Sequence, residues 1–521
     1  MRHWNKAPID REQLALFAPT LDAFLGADHP VRMVDEILRA LDLSAWEQEY
    51  DQFTGQPPIH PRVLAGVLLY GLSLGIRSSR KLEDACGNRM DFIWLAEGRQ
   101  LDHSTLCIFR SGHGPQLKQL FRDLVLTARE MGLVRLNQVT WDGTRIKASN
   151  SRHNTARHEK LEELIKELNA QFDQMLKDAA VVDAGEDKLF GQEGLSKPLP
   201  AELAGKQKRL EELEKAMQAL QKMEVERGNR KDLCKKGPQM PLADPDSRVL
   251  PNKEGGYAPN YTPVLAVDGE AGIIVDAVVL GGKNEDVAIA PSLERIEQTL
   301  GELPREVLAD SGFNTGSNLE LLESKQVEGL IPERQSFEEN PAKRPDPTQP
   351  VAEADREKLP VNPQAKVLDK AAFIYVSEQD TYFCPMGKPL EFAGTRKYQR
   401  ENCQGVYRLY QARQCAECPL KSRCVPGKSK LRNIYRDEYD AVRKRTADRL
   451  ESEAGKKAYS RRWPVAEGRF GVIKSVLGVR QFLLRGLAKV GMEWTWTAAA
   501  YNLKVMVRAQ LEKKGEQMAM A

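Results

Sequence analysis

Apolar residues recur at helical spacing through the first 135 positions, most clearly in LLYGLSLG and LKQLFRDLVLTAREMGL, with few strand signals between them. SSRKLEDAC and DHSTLCIFR add Ser, Thr or Asp at candidate N-caps, and Gly75 and Gly87 are candidate stops. Several short helices with tight turns fit a helix-turn-helix domain or a plain helical bundle. The period then changes. In NQVTWDGTRIKA (137–148) alternation predicts a strand, with Thr140, Asp142 and Thr144 on one face and Val139, Trp141 and Gly143 on the other. Residues 155–226 are charged and helical, with one stripe of Leu161, Leu164, Leu168, Phe172 and Met175 and another of Leu210, Leu213, Met217 and Leu220. The Gly/Pro-containing stretch 184–200 separates them. This predicts a helical hairpin, either a solvated spacer or an interaction arm.

Strand patterns return at 257–280, where YAPNYTPVLAVD and GIIVDAVVL, joined through Gly269 to Gly272, predict a hairpin. A helix is expected over 286–300. REVLADSGFNTGSNLELLESKQVEGLIP then reads as strand, loop, helix, strand, with Asp310 where the first strand ends. Residues 335–370, rich in Pro, Lys and Glu, read as a linker or loop. From about 432 the pattern is helical to the end, with a break around Trp463-Pro464.

The 521 residues hold 77 Lys and Arg against 74 Asp and Glu, a net charge of +3, which with 41% hydrophobic residues excludes collagen-like, disulfide-scaffold or wholly disordered classes. No apolar run reaches the roughly 18 residues of a membrane span, and MRHWNKAPIDREQ has no apolar signal-peptide core. A cytoplasmic protein without a membrane partner is therefore expected. The near-neutral total hides an asymmetry. Residues 395–489 carry 24 basic and 9 acidic side chains, a net +15, and the remainder carries −12. Such a density suits phosphate contacts, with Tyr459 and Trp463 able to stack on bases. The alternative is a solvated helix face.

Of eight cysteines, five lie between 384 and 424. Cys384-Pro-Met-Gly followed by Cys415-x2-Cys418-x5-Cys424 could close a tetrahedral structural zinc site, with Cys403 as a substitute ligand. Reduced, unliganded thiols are the other reading. SRCVPGKS (422–429) imitates a phosphate-binding loop but has Ser422 where the first Gly belongs and follows no predicted strand. His153 and His158 are one residue off helical pairing and read as solvated. Three acids stand out: Asp142 on a strand, Asp310 at a strand end and Glu467 near a helix start. Carboxylates so placed can hold the two divalent ions of phosphoryl transfer.

The wording around those acids is specific. VTWDGTRIKA, VLADSGFNT and YSRRWPVAEGRFGVIK resemble the three catalytic blocks of bacterial insertion-sequence transposases with a DDE, RNase H-like core. Tyr459, Arg462, Glu467 and Lys474 fill that family's Tyr-Arg-Glu-Lys signature, with one extra residue between Arg and Glu. Lys474 follows Glu467 by seven residues, so both share a helix face. Pro464 suits a first helical turn, which argues against Tyr459 and Arg462 sharing the Glu467 helix. HPRVLAGVLLYGLSLGIRSSRKLEDA, LDHSTLCIFR, YAPNYTPVLAVDGEAGIIVDAVV and AAAYNLKVM extend the likeness along most of the chain. Glu493, an alternative third acid, lacks the flanking Arg and Lys and reads as structural.

The resemblance implies an α/β chain with an RNase H-like mixed-sheet catalytic core. Its parts would be an all-α DNA-binding domain (1–135), core segments (136–154 and 236–334), a helical-hairpin insertion (155–235), a linker with a Cys-rich insertion (335–440) and a C-terminal helical part carrying the catalytic Glu (441–521). It implies Mg²⁺ or Mn²⁺, two ions, held by Asp142, Asp310 and Glu467. The reaction would cut element ends and transfer strands into target DNA. Tyr459, Arg462 and Lys474 would hold the transferred strand, and Thr144 and Arg145 would aid positioning. Arg77, Arg80 and Lys81 would contact phosphates of the terminal inverted repeats. A homodimer on double-stranded DNA is expected. A stand-alone RNase H-like nuclease and an inactive DNA-binding regulator are the alternatives.

Overall fold

The computed structural model describes residues 20–50, 57–190, 201–227, 237–252, 255–282, 284–334, 340–400, 403–427 and 429–520, with side chains at 179–190, 201–204, 226–227, 399–400, 403–404 and 517–520 outside the description. Cys234 and most of the 184–200 stretch therefore lie outside it. The chain forms two compact units, Met1–Pro304 with Trp463–Ala521, and Arg305–Arg462.

In chain order, helices α1 (Pro30–Ala40), α2 (Ser44–Glu47), α3 (Pro61–Ser73), α4 (Ser79–Asn88), α5 (Met90–Leu95), α6 (His103–Gly112) and α7 (Gly114–Glu130) come first. Strands β1 (Gln138–Gly143), β2 (Ile146–Lys147) and β3 (Thr155–Ala156) lead into the long helices α8 (His158–Phe190) and α9 (Ala201–Arg227). Then come β4 (Met240–Pro241), β5 (Arg248–Pro251), β6 (Tyr257–Asp268), β7 (Ile274–Leu280) and α10 (Ile289–Leu300). The second unit holds β8 (Glu306–Leu308), α11 (Gly316–Ser324), β9 (Glu328–Leu330), β10 (Ile374–Val376), β11 (Thr381–Phe383), β12 (Pro389–Arg400), β13 (Cys403–Ala412), α12 (Lys421–Cys424), β14 (Asn433–Arg436), α13 (Asp440–Glu451) and α14 (Glu453–Ser460). Helices α15 (Arg462–Ser475) and α16 (Leu487–Met520) end the chain.

In the first unit β6 is the central strand. Its second half lies between β1 and β7, and its first half between β2 and β5, all antiparallel. The expected hairpin at 257–280 is therefore present. The N-terminal helices pack on the last helix of the chain. Trp46 of α2 and Phe109 of α6 pack on Trp496 of α16, with Trp46 and Trp496 stacked at 6.3 Å. Asn502 of α16 clasps β7 by accepting from Ile274 N at 2.8 Å and donating to its carbonyl at 2.7 Å. This core is long-range in sequence, so local periodicity could not reveal that the chain's first and last helices share it. Helices α8 and α9 pair through Leu161, Leu213, Ala216 and Leu220, as the two stripes predict. His158 is not merely solvated: its Nδ1 meets Glu224 of α9 at 3.0 Å.

The second unit begins with the anticipated strand–helix–strand, β8 and β9 being parallel. Its larger sheet, β10-β11-β12-β13-β14, is antiparallel and was not anticipated. The stretch read as a linker contributes to this sheet's core, where Ala342, Val351, Leu359 and Leu368 are buried with Tyr382, Leu390 and Tyr410. Loop residues buried singly leave no period to read.

Candidate functional site

Asp142 is the fifth residue of β1 and is buried, with its Oδ1 accepting from Gly143 N at 3.0 Å. Two residues on, just past the end of β1, Thr144 is buried. Its Oγ1 accepts a 2.6 Å hydrogen bond from Lys474 Nζ. The helix that carries Glu467 is thus tied to the strand that carries Asp142. Further contacts seat α15: Ile473 is fully buried, Phe470 stacks on Trp494 at 6.4 Å, and the Arg469 guanidinium lies over Gly272 of the β6–β7 turn. Glu467 itself is exposed. Arg145 was expected to aid positioning, and its guanidinium donates to the Pro251 carbonyl.

In the second unit Asp310 follows β8. Its Oδ1 accepts from Gly312 N at 2.8 Å, and Phe313 N bonds its carbonyl at 3.1 Å, so a short turn fixes the carboxylate. Tyr459 donates its hydroxyl to the carbonyl of Ala309, immediately before Asp310, at 3.4 Å. The signature residues therefore divide between the units: Lys474 beside the strand of Asp142, Tyr459 beside Asp310. Tyr459 belongs to α14 and Glu467 to α15, which begins at Arg462 with Pro464 in its first turn. The separation expected from Pro464 holds for Tyr459 but not for Arg462, which opens the Glu467 helix because Pro464 sits inside the first turn rather than at its start.

Three basic residues were expected to meet phosphate. Arg80 and Lys81 are exposed on α4. Arg77 is committed internally: it bonds the carbonyls of Gly478 and Gln481 and pairs with Glu493 at 2.8 Å. Glu493 also accepts from the backbone N–H of Leu483 and Leu484. It is a buried structural acid, as its context suggested. The basic excess over 395–489 is partly neutralised at home, since Arg443 pairs with Asp437, Arg445 with Glu323, Lys444 with Asp448 and Arg413 with Glu391. Trp463 stays 66% exposed.

Cys384, Cys415, Cys418 and Cys424 gather around one corner of the β10–β14 sheet as free thiols. Cys384 opens a tight turn in which Lys388 N donates to its Sγ at 3.4 Å. Gly387 has φ +71°, and a Cβ there would strike the Thr348 carbonyl, so the turn requires glycine. Burial pushes the Cys384 thiol up, with the neighbouring Cys418 and Cys415 adding to it. Burial pushes Cys424 up to about 12. Cys403 starts β13, paired with Arg400 at the far end of the hairpin from Ala412 and Cys415, which removes it as a ligand. Among the described residues, one set of three donor atoms lies mutually within 4.8 Å: Glu83, Asp102 and His103. The four sulfurs are looser than that. The surface trio is accounted for by ordinary contacts, because Asp102 caps α6 through Ser104 N at 3.0 Å and His103 pairs with Glu83 at 3.1 Å.

Gly143, beside Asp142, is closely approached by Glu285: a Cβ on that glycine would be 2.5 Å from the carboxyl carbon, so the position requires glycine.

Two family models match parts of the chain. Residues 383–507 match the model of a transposase DDE domain, and residues 19–112 match that of a transposase domain (DUF772). Both matches support an insertion-sequence DDE transposase. No curated protein matches it. No helix among the described residues is long and apolar enough to cross a membrane.

Proposed function

We propose that this transposase cuts DNA at the ends of an insertion sequence and joins the freed strand to target DNA, with Asp142, Asp310 and Glu467 acting together in an RNase H-like core. The observation that carries the reading is the pair of tethers, Lys474 to Thr144 beside Asp142 and Tyr459 to Ala309 beside Asp310. Three carboxylates are hard oxygen donors and suit Mg²⁺ or Mn²⁺. Two such ions, when bound, would activate the attacking oxygen and neutralise the leaving one. The chain's own part is positional. The Asp310 turn and the β1 backbone hold two carboxylates before DNA arrives, and α15 presents the third. Hydrolysis at the element end frees a 3′-hydroxyl, which then attacks a target phosphodiester. One site serves both steps because only the nucleophile changes. Arg462, Lys474 and exposed Trp463 would line the strand path, and Arg80 and Lys81 on α4 would contact phosphates of the terminal repeats. Two ends must be brought together, so a dimer on DNA follows. The test uses an end-containing duplex, Mg²⁺ and target DNA. A joined product supports transposition, cutting without joining identifies a nuclease, and binding without cutting identifies a regulator.

We also propose that Cys384, Cys415, Cys418 and Cys424 hold one structural zinc. Two buried and two half-buried thiols at one corner, one of them accepting a backbone N–H, form a donor set of the right chemistry. Protein purified without chelator should contain about one zinc per chain; a folded, zinc-free protein would reject the site.

A further inference from the structure

We propose that Arg77 and Glu493 are positioning residues for cleavage: together they fix the loop behind α15 and so the placement of Lys474, an inference that rests on the cleavage reaction proposed above. Helix α15 ends at Ser475, and residues 476–486 lead from it into α16. The start of that loop is bound to the helix end. Val479 N donates to the Ile473 carbonyl at 3.0 Å, and Arg480 Nε to the Lys474 carbonyl at 3.2 Å. One edge of the loop lies along β2. Phe482 N donates to the Lys147 carbonyl at 2.8 Å, Lys147 N to the Arg480 carbonyl at 3.3 Å, and Gln481 Nε2 to the Ala148 carbonyl at 3.0 Å. Just upstream of β2, Thr144 receives the Lys474 ammonium. The loop is therefore the frame that sets α15, with its Lys474, against the strand of Asp142.

The same loop is met by two charged side chains. Arg77, between α3 and α4, donates to the carbonyls of Gly478, at 2.8 Å, and Gln481. Glu493 of α16 accepts from Leu483 N and Leu484 N at 3.0 and 2.9 Å. The two charges then close on each other at 2.8 Å, with side chains only 14% and 7% exposed. Arg77 is itself anchored, because Arg110 of α6 donates to its carbonyl at 2.8 Å. The turn before it presses on the loop: Gly75 has φ +79°, and a Cβ there would stand 2.7 Å from the Val476 carbonyl oxygen. Helix α4, with exposed Arg80 and Lys81, begins two residues after Arg77. A buried ion pair adds little net stability over apolar residues of similar volume. What this pair supplies, and apolar residues could not, is a set of directed hydrogen bonds to the loop backbone. Those bonds join the start of a helix proposed to contact phosphates to the end of the helix that carries Glu467.

The test compares full-length wild type with R77M, R77K, E493Q, the R77M/E493M pair, L38A and D142N. Each is assayed for affinity to an end-containing duplex, for single-turnover cleavage at saturating duplex with Mg²⁺, and for melting temperature. R77M and E493Q should bind the duplex as wild type does. Their cleavage rate at saturation should fall about 10–100-fold, the scale of loss when a reacting group is misplaced by about 1 Å. R77K keeps the charge without the planar fork and should fall between them and wild type. The pair leaves neither charge buried alone, so it should melt above either single variant and still cleave slowly. Leu38→Ala empties a buried position in α1; it should lower the melting temperature yet cleave at the wild-type rate well below its melt, which separates lost placement from lost stability. Wild-type cleavage at saturation by R77M and E493Q, or by R77K and the pair if the single variants do not fold, overturns the proposal. So does a cleavage rate in the pair that recovers along with its melting temperature. Full cleavage by D142N would instead sink the underlying reaction.

Discussion

The two units hold their acids in different ways. Asp142 sits in a strand whose neighbours are deeply packed: Trp141 and Trp494 are fully buried, and Phe482 crosses Trp494 edge-on at 6.3 Å. Asp310 sits in a hydrogen-bonded turn, in a unit whose second sheet rests on tyrosines, loop residues and a corner of thiols. The difference teaches where each unit is vulnerable. The first should fail when apolar volume is removed. The second should fail when its thiol corner loses the proposed zinc.

The largest effect should come from breaking that symmetry directly. Trp494→Ala empties a packed position and should destabilise the first unit by about 3–5 kcal/mol, with no change in zinc content; chemical denaturation and metal analysis of the same sample check both halves. Cys415→Ser or Cys424→Ser should do the reverse, releasing zinc and exposing 305–462 to proteolysis while the N-terminal helices stay protected. Equal sensitivity of both units to either change would erase the distinction.

A smaller effect concerns pH. In metal-free protein the Cys424 thiol is favoured in its neutral form, because burial raises its pKa above the ordinary thiol value of about 8.5. That contribution is present in full below the ordinary value and is lost as pH rises toward about 12. Chelated protein should therefore lose stability in its second unit over this alkaline window. Zinc-loaded protein, with thiolates bound, should not follow that curve. Thermal melts across pH, with and without chelator, separate the two.

The smallest effect is at the tethers. Tyr459→Phe removes one hydrogen bond to the Ala309 carbonyl, worth about 0.5–1.5 kcal/mol. It should lower the cleavage rate by about tenfold at most and leave overall stability little changed; single-turnover kinetics are the readout.

Much of the first unit was legible because its strands alternate. Thr140, Asp142 and Thr144 share a face in sequence, and Thr144 does receive the lysine of α15. The strand–helix–strand around Asp310 was legible for the same reason. Other features depend on partners far apart in the chain. Arg77 looked like a surface cation because Glu493 is remote in sequence. The β10–β14 sheet escaped because cysteines, tyrosines and charges interrupt its alternation. The segment before it escaped because Val351, Leu359 and Leu368 are buried one at a time.

The proposed function requires both Asp142 and Asp310 for one reaction. Its most direct measurement is Mg²⁺-dependent cleavage of an end-containing duplex by Asp142→Asn and Asp310→Asn, each compared at equal DNA occupancy. The account predicts that both fall to the same background while DNA binding is kept. Wild-type cleavage by Asp310→Asn beside an inactive Asp142→Asn would contradict it and confine the chemistry to the first unit.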